Sequence, residues 1–356
     1  MKTAMILFGG QSSEHDVSRV SAKNVVENID RTKYNLVIVG ITKAGQWRLF
    51  EGETEQIESE TWLDASRKIE TSAGSPREFV STFAKECGHE KVDVVFPVMH
   101  GINSEDGTIQ GLLELCEIPY VGPGVLGSAM SMDKEISKLV FANEGIPQGK
   151  FFRVSRDKIA PSEIARKVRD EFGFPCFVKP ANAGSSVGVG KARDEAELAK
   201  VLAEAARFDS KILVEQFIDG REIECAVLGN EDPKASPLGE IIPGNDFYDF
   251  EAKYVSNTSV GEIPAKIPQE VAKQIQEYAI SAFKALQCSG LSRVDFFLER
   301  TTGEVFINEI NTIPGFTSIS MYPMMWQEAG LSYKDLITEL LELAISRFEG
   351  AKRSIG

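Results

Sequence analysis

Histidine is scarce in this sequence, and three in 356 residues argue against a His-rich metal centre. Cysteine adds little. The five residues Cys87, Cys116, Cys176, Cys225 and Cys288 are odd in number, scattered, and form no C-x-x-C pair. They read as reduced core residues of a cytoplasmic protein, not as a disulfide framework or thiolate metal site. No apolar run approaches the roughly 20 residues that span a bilayer, and "MKTAMILFGG" reaches a Gly-Gly turn too soon for a signal peptide. Positive charge is in deficit, with Lys+Arg 39 against Asp+Glu 53 and a formal charge of −14. That balance excludes nucleic acid and anionic membranes as expected partners. An anionic ligand would then need locally placed lysines and arginines, or a metal. Internal repeats and low-complexity segments are absent too.

Neither of the two common glycine-rich phosphate motifs is present. "VKPANAGSSVGVGKA", residues 178–192, comes nearest. The P-loop spacing fails because Val189 stands five residues after Gly184, and Lys191 is followed by Ala192. The dinucleotide pattern fails because Arg193 stands where its third glycine belongs. What remains is a lysine on an apolar strand, ahead of a Gly-Ser-Ser turn.

The first third alternates strand and helix signals. "TAMILFGG", "YNLVIVGIT" and "VDVVFPV" are short apolar runs, separated by helical spacing in "SSEHDVSRVSAKNVVENI" and followed by it in "DGTIQGLLELC". Such alternation predicts a parallel, Rossmann-like sheet with helices on both faces. The polar stretch from Glu51 to Ser75 reads as a surface excursion, and "VGPGVLGSAMSMDK" as a linker. Beyond Gly145 the strands "CFVKPA", "ILVEQFI" and "EIECAVLG" come with intervening helices, an α+β pattern. "PGNDFYDFEAKYVSNTS" is a long, polar, aromatic loop of the kind that serves as a lid. "LSYKDLITELLELAISRFEG" closes the chain as an amphipathic helix. The expected division is 1–123, 124–214 and 215–356, with the lid at 244–260.

The most informative local signal is "SRVDFFLERTTGEVFINEINT". Thr301-Thr302-Gly303 reads as a three-residue hairpin loop with glycine at the positive-φ position. Centring the hairpin on Thr302 sets Asp295 opposite Glu309 and Arg293 opposite Asn311, all four on one face. Two opposed carboxylates repel. A divalent cation of the Mg²⁺ type resolves this, since it takes one or two carboxylates, an amide oxygen and phosphate oxygens. On an exposed strand Arg293 alone would suffice. The apolar neighbours Phe296, Leu298, Phe306 and Ile307 favour the internal, metal-holding reading.

Taken in order, "FGGQSSEHDVS", "FPVMHGINSEDGTIQG", "SAMSMDK", "VKPANAGSSVGVG", "FYDFEAKY", "SRVDFF" and "INEINTIPGFTSISMYP" resemble the D-alanine–D-alanine ligase family of the ATP-grasp superfamily. The seven motifs span roughly residues 5 to 325, nearly the whole chain. The resemblance implies two α+β subdomains holding ATP between them, with Mg²⁺ or Mn²⁺, two ions, at the phosphates. It also implies a cytoplasmic homodimer acting on small molecules. By the same resemblance Lys134, Lys179 and Lys253 contact phosphates, and Glu215, Phe217, Ile218 and Glu222 bind adenosine. Asp295, Glu309 and Asn311 match the metal ligands, and Arg293 with the Gly315 N–H matches the oxyanion site. Glu14 matches the holder of the first substrate's ammonium, with His100 at its carboxylate. Ser185 and Tyr254 match a hydrogen-bonded chain to Glu14, while Ser320 and Met321 match the site of the second substrate's carboxylate.

Simpler readings stand beside these. By position alone, Glu14 reads equally as the first-turn acid of a capped helix, and His100 as a satisfied loop histidine. The sequence also departs from the family at Phe250, a frequent tyrosine, and at Asn103-Ser104, frequent glycines. Ile319 and Met321 occupy positions that vary with the second substrate. A D-alanyl–D-serine or D-alanyl–D-lactate ligase is therefore the alternative activity. A nicotinamide oxidoreductase fails on the glycine pattern and on the missing acid after "YNLVIVGIT". Intact acids and lysines disfavour a catalytically silent nucleotide-binding protein.

Overall fold

The first strand, β1 (Lys2–Gly9), is buried from Thr3 onward, as a continuous apolar run requires when both faces are covered. A computed structural model, which describes residues 1–184, 187–242 and 260–351, places it in the first of three sheets. β2 (Tyr34–Ile41), β3 (Trp47–Phe50), β4 (Ser66–Lys68) and β5 (Val94–Pro97) complete that sheet in the order β4-β3-β2-β1-β5. β2 and β5 run parallel to β1, whereas β3 and β4 add an antiparallel edge. The expected parallel sheet is thus parallel only at its centre. Nor is the stretch from Glu51 to Ser75 a mere surface excursion. It supplies β4 and also Trp62, which is 1% exposed and meets Phe8 edge-on at 5.0 Å. A three-residue strand is too short to show a period, so β4 leaves no pattern to read.

Helices cover both faces of this sheet. Ala4, Ile6 and Phe8 pack with Ala22 and Val25 of α1 (His15–Asn28). Met5 and Leu7 pack with α2 (Pro76–Glu86) and α3 (Thr108–Leu115) on the other side. The alternation of β1 side chains between two cores is the two-residue period of a strand. Ser18 ties α1 to the Gly9-Gly10 turn: its Oγ accepts from the Gly9 N–H at 2.7 Å and donates to the Val98 carbonyl at 2.5 Å.

After α4 (Val125–Met132) and α5 (Lys134–Asn143) comes a four-stranded antiparallel sheet, β6-β9-β7-β8. Its strands are β6 (Phe151–Ser155), β7 (Cys176–Pro180), β8 (Gly190–Ala192) and β9 (Lys211–Gln216). α6 (Pro161–Glu171) and α7 (Glu195–Phe208) cover one face through Ile164, Val168, Leu198 and Leu202. Asp133 caps α5 by accepting from the Glu135 and Ile136 N–H groups, and so fixes Lys134 at the helix start. The expected division between 214 and 215 falls inside β9.

The third sheet is antiparallel throughout, β13-β12-β10-β14-β15, with β11 paired to β10. Its strands are β10 (Gly220–Gly229), β11 (Lys234–Ala235), β12 (Gly239–Ile242), β13 (Val260–Glu262), β14 (Gly290–Glu299) and β15 (Val305–Asn311). α8 (Gln269–Ala285) packs on one face. α9 (Met321–Glu328) and α10 (Tyr333–Gly350) pack on the other, and α10 reaches back to the first sheet through Leu336, Leu340 and Leu341. That shared core sets the turn after β15 against the loop after β5. Among the described residues no helix is long and apolar enough to cross a membrane.

Candidate active site

Where the three sheets meet lies a cleft of about 1430 Å³. Its floor is the β14–β15 hairpin. The register there is the one the sequence predicts: Arg293 faces Asn311 and Asp295 faces Glu309. Beyond Asp295 a bulge shifts the pairing, so Phe296 opposes Ile307, not Asn308. The extra residue, Asn308, joins Glu309 in the cleft wall. Gly303 does take a positive φ, at 72°.

Asp295 and Glu309 do not face each other as bare charges. Arg293 clasps Asp295 with Nε at 2.7 Å and Nη2 at 2.8 Å, and Asn311 Nδ2 donates to it at 2.9 Å. Arg293 Nε also lies 3.2 Å from Glu224 Oε2. Lys134 Nζ stands 3.6 Å from Glu309 Oε2 and donates to the Ala183 carbonyl at 2.8 Å. In this state protein cations balance the acids. A small cavity of about 40 Å³ between β10 and the hairpin has Glu222, Glu224, Asp295, Asn308 and Glu309 in its lining, together with Ile223, Phe296 and Phe297. Among the described residues no three His, Cys, Asp or Glu side chains converge to hold a metal by themselves. Two opposed carboxylates and an amide are nevertheless hard oxygen donors that fit Mg²⁺, which draws its remaining ligands from phosphate and water.

Lys179 enters from β7. Its Nζ pairs with Glu215 Oε2 at 2.8 Å and reaches Asn308 Oδ1 at 3.4 Å. Burial pulls its ammonium down, but Glu215 and Glu309 outweigh that and hold it above the usual lysine value. Glu215, Phe217, Ile218 and Glu222 all line the cleft. Lys191 Nζ stands 3.6 Å from the Phe217 ring centroid, and Phe177 lies tilted at 6.0 Å from the same ring.

At the other end sits Glu14, 5% exposed, just ahead of α1. Its side chain makes no cap hydrogen bond, so the capped-helix reading does not describe it. The carboxylate lies between two glycines instead. A Cβ at Gly101 would come within 2.4 Å of Glu14 Oε2, and one at Gly184 within 2.7 Å. His100 has both ring nitrogens engaged, Nδ1 with the Ile313 carbonyl at 2.9 Å and Nε2 with Ser21 Oγ at 3.2 Å. Burial pushes its imidazole below the usual value, so it is neutral, with Nδ1 donating and Nε2 accepting. His100 thereby braces the β15 turn as well as lining the cleft.

That turn presents Gly315. Its neighbours Ile313, Phe316 and Thr317 direct their N–H groups to Glu105, Ser21 and Ser320, while the Gly315 N–H takes no partner among the described residues. Ser320 Oγ accepts from Thr317 N at 2.9 Å. Met321 touches the cleft but is 7% exposed, its side chain filling the space beside buried Gly239 and exposed Gly261. Ser185, Lys253, Tyr254 and lid residues 244–259 lie outside the described residues.

Three cleft residues escape sequence reasoning. Glu105 accepts from the Gly101 N–H and the Ile313 N–H, both at 2.9 Å, and ties the loop after β5 to the β15 turn. Burial, and then Glu14, push its carboxyl well above the ordinary range. In the sequence Glu105 is one acid among the polar residues of "HGINSEDG". Glu224 alternates with Glu222 along β10 and was legible from that period. Asn308 arrives through the bulge, which no pattern announces.

Two family models match this chain. D-ala D-ala ligase N-terminus covers residues 3–123 and D-ala D-ala ligase C-terminus covers residues 140–342. The D-alanine–D-alanine ligase of Acetivibrio thermocellus is 52% identical, covering 98% of this chain and 96% of its own. That of Ruminiclostridium cellulolyticum is 52% identical, covering 99% and 97%. Among solved structures, the D-alanine-D-alanine ligase from Coxiella burnetii matches with a TM-score of 0.84 and 38% identity, covering 98% of this chain and 95% of that one. VanG D-Ala:D-Ser ligase from Enterococcus faecalis matches with a TM-score of 0.85 and 38% identity, covering 96% and 99%.

Proposed function

The chain belongs to the D-alanine–D-alanine ligase family, and from that premise we propose that it joins two D-alanine molecules, with ATP, for peptidoglycan synthesis. The γ-phosphoryl group passes to the carboxylate of the first D-alanine, giving an acyl phosphate and ADP. The amine of the second attacks the acyl carbon and loses a proton. The carbon–oxygen bond to phosphate breaks, and phosphate leaves with the electron pair.

In this reading Glu14 holds the first ammonium in the gap between Gly101 and Gly184. Lys134 and Lys179, with Lys253 of the lid, neutralise the phosphates, and Glu215, Phe217, Ile218 and Glu222 form the nucleoside pocket. Arg293 and the Gly315 N–H receive the oxyanion of the tetrahedral intermediate, a role that needs donors fixed beforehand. The clasp of Arg293 on Asp295 supplies that fixing. Ser185 and Tyr254 link Glu14 to the lid, and Ser320 and Met321 bound the second carboxylate. Asp295, Glu309 and Asn311 would hold two Mg²⁺ or Mn²⁺ ions, which when bound place positive charge against the phosphate oxygens. We further propose a cytoplasmic homodimer, to be tested by light scattering on the purified protein.

The observation that carries the reading is the cleft itself. It sets Lys134 beside Glu309 of the hairpin and Lys179 beside Glu215 and Asn308 at one end, and the Glu14 carboxylate against two glycines at the other. The likeness to a D-Ala:D-Ser ligase favours one second reading, in which D-serine is the second substrate. Purified protein incubated with ATP, Mg²⁺ and D-alanine, alone or with D-serine, should yield D-alanyl-D-alanine as the main product by mass. No dipeptide would overturn the proposal, and mainly D-alanyl-D-serine would establish the second reading.

A further inference from the structure

Lys138 is a lysine almost entirely withdrawn from water. It projects from α5, its side chain is 3% exposed, and it does not line the cleft. Charged side chains are buried this deeply only when something opposite holds them. Here that partner is Glu215 on β9, whose Oε2 lies 3.5 Å from Lys138 Nζ and 2.8 Å from Lys179 Nζ. The Phe151 ring, 5.5 Å from Nζ, and the Gln148 amide, donating to the Lys138 carbonyl at 2.7 Å, complete the setting.

The two oxygens of Glu215 are therefore unequal. Oε2 answers two ammonium groups, while Oε1 is buried with no hydrogen-bond partner in the protein. A buried acceptor left open is costly unless a ligand completes it. Glu215 lines the cleft next to Phe217 and Ile218, apolar side chains suited to a flat aromatic ring. Lys179 is also shared, because Asn308 and the phosphate end of the cleft draw on the same ammonium.

We infer that Lys138 is a positioning residue for nucleotide-base choice: when Lys179 turns to phosphate, Lys138 keeps Glu215 in place with Oε1 as an acceptor. The site then takes a purine bearing an amino group at its six-position and turns away one bearing a carbonyl there. This rests on the reading that Glu215 belongs to the nucleoside pocket. Electrostatics supports the arrangement. Burial alone would push the Glu215 carboxyl up, and Lys138, followed by Lys179, reverses this and holds it below the ordinary range.

The test compares ATP with inosine triphosphate, which differ at the six-position, by phosphate release at saturating D-alanine. Lys138→Met should raise KM for ATP roughly tenfold, with kcat within about twofold. Its kcat/KM preference for ATP over inosine triphosphate should fall roughly tenfold or more. Lys138→Arg should restore most of that preference. In Glu215→Gln the preference should already be lost, and adding Lys138→Met should change nothing further. If Glu215→Gln keeps the native preference and KM, the nucleoside-pocket reading fails and the inference with it. If Glu215→Gln loses the preference while Lys138→Met keeps it, only the inference fails. Should Lys138→Met not fold, the double variant decides: equality with Glu215→Gln supports the role, and a further fall in preference overturns it.

Discussion

Replacing Gly184 by alanine probes the Glu14 end of the cleft with a single methyl group. The added Cβ would lie 2.7 Å from Glu14 Oε2, against an ordinary contact of about 3.5 Å. The difference, roughly 0.8 Å, has to be taken up by the carboxylate or by the loop. A Cβ at Gly101 would likewise stand 2.4 Å from the same oxygen, so the lack of a side chain at both glycines is what leaves the carboxylate its place. A misplacement of about 1 Å costs up to roughly a hundredfold in rate when it disturbs substrate positioning. A lost hydrogen bond to a charged group costs about 1.5–3 kcal/mol, some ten- to a hundredfold in binding. Gly184→Ala should accordingly raise KM for the first D-alanine ten- to a hundredfold, leaving KM for ATP within about twofold. Initial rates over a D-alanine series, read by coupled ADP formation, separate the two constants. The thermal midpoint should barely move, because Gly184 does not hold a positive φ. Gly101→Ala is the contrast, since its φ of 75° adds backbone strain of about 1–2 kcal/mol and should lower stability as well. Unchanged D-alanine kinetics in Gly184→Ala would show that Glu14 is not the ammonium holder.

Glu309→Gln removes one of the two opposed carboxylates, and should raise the Mg²⁺ concentration needed for half-maximal rate while lowering kcat by about 100-fold or more. A native Mg²⁺ titration in that variant would remove Glu309 from the metal set. A tyrosine side chain has an unperturbed pKa of about 10 and so adds no cation near neutral pH, unlike a histidine, and Tyr254 is a tyrosine of the lid sequence. Equal D-alanine and D-lactate should therefore give mainly dipeptide at pH 6 and at pH 8, and Tyr254→Phe should relax the choice. Mainly depsipeptide from the native protein would refute this. The neutral, buried His100 makes stability depend on pH in a defined direction. The unfolded chain takes up its proton first, near pH 6.5, so this contribution is complete above that pH. It is lost as pH falls through the lower folded value. Between pH 7.5 and 5.5 the melting temperature of the native protein should drop more than that of His100→Gln, and equal drops would contradict the neutral assignment.

The hairpin shows why some of this site is legible in a sequence and some is not. Register is set by the turn, and Thr301-Thr302-Gly303 announces its own geometry, so the facing of Asp295 and Glu309 follows from counting. The bulge that inserts Asn308 depends on how β15 meets its surroundings, and has no sequence period of its own. The same division runs through the molecule. β1 is readable because seven successive residues are buried, a consequence of lying mid-sheet under helices on both faces. β4 is not, because three residues at an antiparallel edge follow no rule that a polar loop does not also follow.

Chemistry that acts over long sequence separation is the least legible. Glu105 and Ile313 are 208 residues apart, and their hydrogen bond exists only because α10 returns to the first sheet. Lys138 looks like one more polar residue of α5 until β9 sets Glu215 beneath it. In each case the sequence holds the side chain and the fold supplies the partner. A charged group that serves at long range therefore stands out first by its burial, and motif reading reaches it only when its partner lies within the same short stretch of chain, as Asp295 and Glu309 do across their hairpin.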